Sequence, residues 1–425
     1  MHSRRDFLAN GLGAGAAALC ASILAAYAAG GPEHVQSAIA ITEVFGDGQK
    51  FTAVALEYDQ DIDSSKLSTS TFSVQGRTIT NVYANRVAAP AGEGANGKYA
   101  IIELSPDDPD AALYVLDKRT VARKEAKASV TQTGPVSTTG GDTYAASADA
   151  IATNSIANLV VDDFRQLEYK DPETRDILNY NLFVPKNYDK AKSYPLVLFM
   201  HDAGATSAIT DTTLVQGLGA VVWASPADQA KREAFVLAPQ YPTPVVNDKS
   251  EASSYLDTTV NLINKLMSEY SIDRNRLYAT GQSGGAMMSI AMNIKYPDLF
   301  AASFLVAGQW DPAKVKPLAE DKLWIMVSEG DLKAYRGQNA ITAVLEEEGA
   351  KVSRAVWNGR STPEEFEAAV EKMEAEGSPV NYVALRKGTV VPPGQPDDGG
   401  SNHVNTWRIA YTIEGIRDWI FKQRK

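Results

Sequence analysis

Cysteine is almost absent from this chain, which has 425 residues and a single cysteine, Cys20. That residue lies in an amino-terminal stretch typical of an export signal, so the processed protein is expected to have none. The absence excludes a framework of disulfides, even in an oxidising compartment, and fits a chain that is exported already folded. No cluster of cysteine, histidine and carboxylate residues has metal-ligand spacing, and we expect no metal and no cofactor.

The chain also lacks an excess of basic residues. Its 41 lysines and arginines stand against 52 aspartates and glutamates, which gives a net charge of −11. Nucleic acids and anionic membrane surfaces repel such a protein, so neither is expected as a partner. The glycine-rich segment at residues 281–285 is not a phosphate-binding loop, because the lysine of a Walker motif is missing.

The amino terminus carries an arginine pair, Arg4 and Arg5, followed by a weakly apolar run rich in glycine and alanine. This pattern predicts a twin-arginine signal peptide over residues 1–28, with cleavage after Ala28. A single transmembrane anchor is the alternative, but the run is less apolar than an anchor requires. We therefore expect a periplasmic or extracellular protein that is not inserted in the membrane after cleavage.

Short alternating runs fill the next part of the chain, residues 38–160. Examples are residues 51–58 and 99–104, and clusters of glycine, aspartate, asparagine and proline separate such runs. This pattern predicts an all-β sandwich. No constellation of titratable residues stands out in it, so we expect a structural domain, and binding of a carbohydrate or polymer is the alternative.

The periodicity changes in residues 165–425. Strand-like runs such as 196–200, 234–238 and 323–328 alternate with helical ones, and apolar residues between Leu256 and Tyr270 recur on one helix face. Alternation of this kind predicts the α/β class, with a mostly parallel sheet and helices on both of its faces.

A nucleophile elbow is predicted at residues 281–285, which read Gly-Gln-Ser-Gly-Gly between a strand-like and a helix-like run. In such an elbow a strand turns sharply into a helix, and glycines flank the serine because side chains would collide there. Ser283 would be the nucleophile, and the backbone N–H of Gly284 would point to the place where an oxyanion forms. The alternative is a glycine-rich turn that matches the motif by chance.

An activated serine needs a general base, and the chain has only four histidines. His2 lies in the predicted signal, His34 just beyond it, and His201 at the end of a strand-like run. Only His403 follows the elbow, in agreement with the order serine, acid, histidine of α/β-hydrolases. We predict that His403 is the base and that it lies in a loop between the last strand and the last helix.

The acid of the triad is expected after a buried strand between the elbow and His403. Residues 322–328 form such a run, and Asp331 follows its carboxyl end, where catalytic groups collect in open α/β sheets. Its role would be to hold one tautomer of the imidazole. Glu329 is the main rival, and Asp397 and Asp398 are weaker ones.

The second oxyanion donor is expected in the turn at residues 201–204, which follows an earlier strand. The backbone N–H of Ala203 is the predicted donor, and Asp202 or Gly204 would serve after a shift of one residue. We expect His201 to brace this turn rather than to act as a base.

Three further residues are candidates for the substrate-binding mouth. Gln282 precedes the nucleophile, Trp310 ends a predicted strand, and Trp407 lies one helical turn beyond His403. Tryptophans at strand ends also serve as core or lid residues, so a packing role is the alternative for both.

These segments together resemble the polyhydroxybutyrate-depolymerase and feruloyl-esterase-like α/β-hydrolases, and most of all the secreted esterases with an immunoglobulin-like amino-terminal domain. The resemblance covers nearly all of the chain after the signal and is most specific at residues 180–188, 201–204, 281–285, 328–331 and 402–407. It implies an α/β-hydrolase fold preceded by an immunoglobulin-like β-sandwich. It also implies the family's triad positions for Ser283, Asp331 and His403.

One residue departs from the family pattern. The family turn usually reads His-Gly-x-Gly, whereas Asp202 here replaces the first glycine. A carboxylate beside an oxyanion hole opposes the developing negative charge unless it points away.

The expected function is that of an exported serine esterase acting on a small-molecule or polymeric ester through an acyl-enzyme. A serine peptidase of the prolyl-oligopeptidase clan shares the same catalytic order and is the first alternative. A hydrolase-derived protein that only binds its ligand is the second. The sequence specifies no oligomeric state.

Overall fold

The computed structural model describes residues 33–117 and 120–425, so the predicted signal peptide lies outside the described residues. Twelve strands, β1 to β12, form the amino-terminal part of that region. Their bounds are Val35–Phe45, Gly48–Ile62, Phe72–Val74, Ile79–Asn85, Gly97–Leu104, Tyr114–Asp117, Thr120–Arg123, Ser129–Gln132, Val136–Ser137, Thr143–Tyr144, Ala150–Ala152 and Ser155–Asn158.

The amino-terminal strands form two sheets with an apolar core between them. One sheet has the order β12-β1-β2-β5-β4 and the other the order β11-β8-β3, while β6-β7 and β9-β10 are separate two-stranded pairs. Alternate residues of the long strands, among them Val54, Leu56 and Ile102, meet Val130 of the smaller sheet in one buried cluster. The predicted β-sandwich is therefore present.

Nine further strands, β13 to β21, form one large sheet in the second part of the chain. Their bounds are Arg165–Lys170, Ile177–Phe183, Tyr194–Met200, Phe235–Gln240, Ile272–Gln282, Ala302–Val306, Leu323–Ser328, Val352–Trp357 and Val380–Leu385. The order is β13-β14-β16-β15-β17-β18-β19-β21-β20. The pairs β13/β14 and β14/β16 are antiparallel, and all other neighbours are parallel.

Helices α1 to α9 accompany this sheet, with bounds Thr212–Val215, Leu218–Ala224, Pro226–Lys231, Tyr255–Glu269, Gly284–Lys295, Leu332–Glu347, Pro363–Glu374, Gly399–Ala410 and Glu414–Phe421. They cover both faces. Leu198 and Met200 of β15 pack in one core with α4, α5 and α6, whereas Val197 and Phe199 of the same strand pack with α2, α8 and α9. The α/β-hydrolase architecture predicted from the sequence is thus confirmed.

The two parts of the chain share an apolar contact and an ion pair. Val44 and Tyr114 of the sandwich belong to the same buried cluster as helices α2 and α8. On the β6-β7 pair, Arg123 donates two hydrogen bonds to the carboxylate of Asp211, at 2.8 and 3.1 Å. The sandwich therefore contacts the segment that follows the turn at residues 201–204.

Among the described residues, no helix combines the length and the apolar character needed to cross a bilayer.

Glycine at position 285 is required by the contact between α5 and the central strand. A Cβ atom at Gly285 would lie 1.9 Å from the carbonyl oxygen of Met200, which is a backbone atom. Since no rotamer change relieves such a clash, we expect Gly285→Ala to lower the free energy of unfolding by about 3 kcal/mol or more, at the upper end of overpacking effects. Chemical denaturation followed by circular dichroism measures this loss. The control is Gly92→Ala, because a Cβ atom at Gly92 has no neighbour within 4 Å.

Candidate active site

Ser283 occupies the sharp turn between β17 and α5. Its backbone has φ 51° and ψ −115°, a strained conformation for a residue with a side chain. The flanking glycines are needed because the strand and the helix approach closely, and a Cβ atom at Gly281 would lie 2.5 Å from the carbonyl carbon of Gly285. The segment therefore has the geometry of a nucleophile elbow.

A chain of hydrogen bonds links Ser283, His403 and Asp331. The Oγ atom of Ser283 lies 2.9 Å from Nε2 of His403, and Nδ1 of His403 lies 2.5 Å from Oδ2 of Asp331. The carboxylate requires the imidazole proton on Nδ1, which leaves Nε2 as the acceptor for the serine hydroxyl. The structure thus brings the three predicted triad residues together.

Asp331 is held rigidly from a second side. Its side chain is buried and its Oδ1 accepts a hydrogen bond from the N–H of Ala334, so that it also caps the amino terminus of α6. The capped helix fixes the carboxylate, and the carboxylate in turn fixes the orientation of the imidazole.

The rival acids are engaged elsewhere. Glu329 accepts a hydrogen bond from the N–H of Lys387, Asp397 from the side chain of Asn402, and Asp398 from the N–H of Ser401. Only Asp331 among these carboxylates is hydrogen bonded to the imidazole of His403.

His403 lies in helix α8 and not in a loop, so the loop prediction was wrong. Asp398 caps this helix, which begins at Gly399 and carries His403 in its second turn. The glycine pair at residues 399–400 suggested a loop, but the cap and tertiary packing outweigh its low helix propensity. One turn later on the same helix, the Trp407 ring meets the imidazole edge to face, with centroids 5.0 Å apart.

The turn after β15 continues as a single helical turn, Ala203–Ala205, capped by Asp202. The N–H of Gly204 is already bound to Oδ1 of Asp202 at 2.7 Å. The N–H groups of Ala203 and Gly284 each belong to the first residue of a helical segment, so neither has an acceptor within its own helix. A Cβ atom on Gly284 would lie 3.5 Å from the nitrogen of Ala203, which shows that the two residues are neighbours.

His201 is buried behind this turn, and both of its ring nitrogens bind backbone groups. Nε2 accepts from the N–H of Tyr241 at 3.0 Å, so Nδ1 carries the proton that it donates to the carbonyl of Asp202 at 2.7 Å. Burial lowers the pKa of His201 below its ordinary value of 6.5. It is therefore a neutral brace of the turn, as expected from the sequence.

A narrow cleft of about 20 Å³ opens beside Ala203 and Gly284. Its apolar walls are Val245 and Val246, from the segment after β16, and Met288 of helix α5. Sequence reasoning missed these wall residues. The place of Met288 in the first turns of the helix after the elbow was an available signal, whereas the valines lie in a segment without a motif.

The three predicted mouth residues, Gln282, Trp310 and Trp407, do not line this cleft. Their side chains are buried, with 1%, 6% and 7% of their surface exposed. Gln282 donates to Asp202, Trp310 belongs to the buried core that the sheet shares with α4, α5 and α6, and Trp407 packs against His403. Each is therefore a buried residue that packs against or binds an element of the site.

No group of three or more histidine, cysteine or carboxylate side chains in the described parts of the chain is arranged to hold a metal.

Two family models match separate parts of the chain. Residues 37–145 match the esterase immunoglobulin-like amino-terminal domain, and residues 250–344 match the prolyl oligopeptidase family. A crystal structure of a thermostable esterase superposes with a TM-score of 0.78 at 29% identity, and covers 92% of this chain and 100% of the other. The chain thus has an α/β-hydrolase fold and is similar to esterases that carry an immunoglobulin-like amino-terminal domain.

Two fungal enzymes are similar over shorter regions. Acetylxylan esterase A of Emericella nidulans is 28% identical over 97 residues, which are 19% of this chain and 32% of the fungal protein. Feruloyl esterase B of Talaromyces stipitatus is 28% identical over 140 residues, which are 31% of this chain and 36% of that protein. The chain therefore spans about a third of the length of these curated relatives.

The buried His201 makes the stability of the protein depend on pH. Its folded pKa is below the unfolded value of 6.5, so the unfolded state binds the proton first as pH falls. The stability that His201 contributes is complete above pH 6.5 and is lost as pH falls toward its folded pKa, with a slope of at most about 1.4 kcal/mol per pH unit. Urea unfolding of the wild type and of His201→Gln at several pH values between 8 and 5 measures this slope. An equal slope in both proteins would contradict the assignment.

Proposed function

We propose that the protein is an exported serine esterase that hydrolyses carboxylic esters through an acyl-enzyme on Ser283. The observation that carries the proposal is the hydrogen-bonded chain from Ser283 through His403 to Asp331 at a nucleophile elbow. The full-length similarity to a thermostable esterase supports it independently. Export rests on the twin-arginine pattern of residues 1–28.

The proposed reaction begins when Oγ of Ser283 attacks the ester carbonyl and His403 Nε2 takes its proton. Asp331 stays ionised and stabilises the imidazolium through Nδ1–H. The N–H groups of Ala203 and Gly284 bind the oxyanion of the tetrahedral intermediate. His403 then gives the proton to the departing alkoxide. Water, deprotonated by the same nitrogen, attacks the acyl-enzyme, and the acid is released as His403 returns that proton to Oγ of Ser283.

A short acyl group suits the cleft beside the two oxyanion donors. The space in which the centre of a water-sized group can lie between Met288 and the valines at 245 and 246 is about 20 Å³, which suits a group of few atoms. An acetyl group fits this description, whereas the phenylpropenoyl group of a feruloyl ester requires the walls to move. We therefore propose short-chain, acetyl-type esters as substrates.

Peptide hydrolysis is the second candidate activity. The segment that matches the prolyl oligopeptidase family, residues 250–344, contains both Ser283 and Asp331. Amide substrates demand that His403 protonate a poor leaving group, so the two activities separate on a panel of p-nitrophenyl esters and aminoacyl p-nitroanilides. Hydrolysis of the anilides at rates comparable to the esters would favour the peptidase.

Ser283→Ala tests the proposed nucleophile. The change removes one oxygen atom, so the fold should persist while kcat for p-nitrophenyl acetate falls by up to about a million-fold. Activity is measured by release of p-nitrophenol, and circular dichroism checks the fold. A folded Ser283→Ala variant that kept more than about one hundredth of the activity would be incompatible with this mechanism.

Met288→Ala tests the proposed acyl pocket. Removing this wall should raise the ratio of kcat/KM for p-nitrophenyl octanoate over the acetate by at least about tenfold, since each methylene accommodated is worth about 1–3 kcal/mol. The matched control is Met292→Ala, one turn further along α5, because Met292 is fully buried but does not line the cleft. If both variants change the ratio equally, Met288 does not set the acyl length.

A further inference from the structure

Asp202, the residue that departs from the family's turn, lies buried between the two backbone segments that carry the proposed oxyanion donors. Its two carboxylate oxygens bind different elements. Oδ1 accepts from the N–H of Gly204 at 2.7 Å, within the turn after β15, and Oδ2 accepts from the side-chain amide of Gln282 at 3.0 Å, at the end of β17. The carboxylate is thus a bridge from the turn to the elbow.

Each end of this bridge adjoins a donor. Asp202 directly precedes Ala203, and Gln282 directly precedes Ser283 and is separated from Gly284 by that residue alone. Gln282 is almost completely buried, and its amide nitrogen also lies 3.4 Å from the side-chain oxygen of Gln216. Because a buried amide and a buried carboxylate lose far more than an exposed pair when their bond breaks, the bridge resists changes in the spacing of the turn and the elbow.

Neither carboxylate oxygen of Asp202 lacks a hydrogen-bond donor, since both oxygens accept a hydrogen bond from an N–H group. Two tyrosines interact electrostatically with the Asp202 carboxylate, Tyr114 of the sandwich and Tyr411 of the hydrolase domain. Burial, and to a smaller extent the Asp202 carboxylate, raise the pKa of both phenols, which keeps them neutral.

We propose that Asp202 is a positioning residue that ties the oxyanion turn to the nucleophile elbow through Gln282, and so keeps the N–H groups of Ala203 and Gly284 at the spacing that one oxyanion requires. The inference rests on the proposed esterase activity. A glycine at position 202, as in the family pattern, offers no side chain for such a bridge. In this chain the hydrogen bond between Asp202 and Gln282 therefore helps to hold the turn beside the elbow.

The chain offers a control in Asp171, a buried carboxylate that likewise joins a backbone N–H to a side-chain amide. Its Oδ1 accepts from the N–H two residues further on, that of Glu173, at 3.0 Å, and its Oδ2 accepts from the side-chain amide of Asn261 at 2.8 Å. Asp171 lies in the connection between β13 and β14 and does not line the cleft. Asp171 also accepts from the Thr174 hydroxyl at 3.0 Å, so its loss removes at least as many hydrogen bonds as the loss of Asp202, but only Asp202 adjoins the proposed oxyanion donors.

The experiment compares the wild type, Asp202→Ala and Asp171→Ala in kcat and KM for p-nitrophenyl acetate. It also compares their inhibition by an alkyl boronic acid, whose tetrahedral adduct places an oxygen in the oxyanion hole. Asp202→Ala should lower kcat about a hundredfold, as expected when one oxyanion donor is displaced, with KM changed by less than about threefold. Asp202→Ala should also raise the inhibition constant of the boronic acid by a similar factor. Asp171→Ala should lower Tm while kcat and the inhibition constant stay within about threefold of the wild type.

An exchange of the two groups provides the rescue. In the double variant Asp202→Asn with Gln282→Glu, the amide donates to the carboxylate in the opposite direction, so kcat should exceed that of Gln282→Glu alone by at least about tenfold. A kcat of Asp202→Ala within about threefold of the wild type, or an equal loss in Asp171→Ala, would overturn the proposal. If Asp202→Ala does not fold, the exchange decides, and a double variant no better than Gln282→Glu overturns it. Failure of the esterase proposal itself is recognised separately, because the wild type would then hydrolyse no ester.

Discussion

The approach of α5 to the end of β15 is the constraint on which the rest of the site depends. The backbone at residues 281–285 comes so close to the carbonyl oxygen of Met200 that neither Gly281 nor Gly285 has room for a Cβ atom. This contact holds the turn after β15 beside Ser283, and the same turn carries Ala203. In the proposed mechanism the N–H groups of Ala203 and Gly284 bind one oxygen atom, and a larger separation of the two segments would prevent this.

Two buried side chains of the site, Asp331 and His201, each form hydrogen bonds to two different elements of the structure. Asp331 binds His403 with one oxygen and caps α6 with the other. His201 joins Tyr241 to Asp202 through its two ring nitrogens. Such double attachment limits the orientations of each group, and preorganised groups stabilise a transition state without reorganising during the reaction.

The parts of the site that the sequence allowed us to predict are those set by local steric demands. The glycines around Ser283 are diagnostic because a strand that turns directly into a helix leaves no room for other residues. The order of strands and helices likewise follows from the periodicity of apolar residues. Asp331 was predicted with Glu329 as its rival two residues nearer the strand, and in the structure Asp331 binds His403 whereas Glu329 accepts a hydrogen bond from the N–H of Lys387.

Features set by distant packing were not predictable in this way. His403 seemed to lie in a loop because Gly399 and Gly400 disfavour a helix, and the cap supplied by Asp398 reverses that preference. The tryptophans at 310 and 407 seemed placed to face substrate, but burial depends on what the rest of the chain packs over them. The valines of the cleft come from a segment whose position is fixed only once the sheet has formed.

The junction between the two domains has a consequence for how the protein unfolds. Tyr114 is buried in a core that consists mostly of residues from the other domain, and Arg123 neutralises Asp211 across the boundary. Separating the sandwich from the hydrolase domain would expose Tyr114 and leave the partly buried carboxylate of Asp211 without its cation. Because the two domains share this buried core, we expect the sandwich and the hydrolase domain to melt as one unit rather than in two steps.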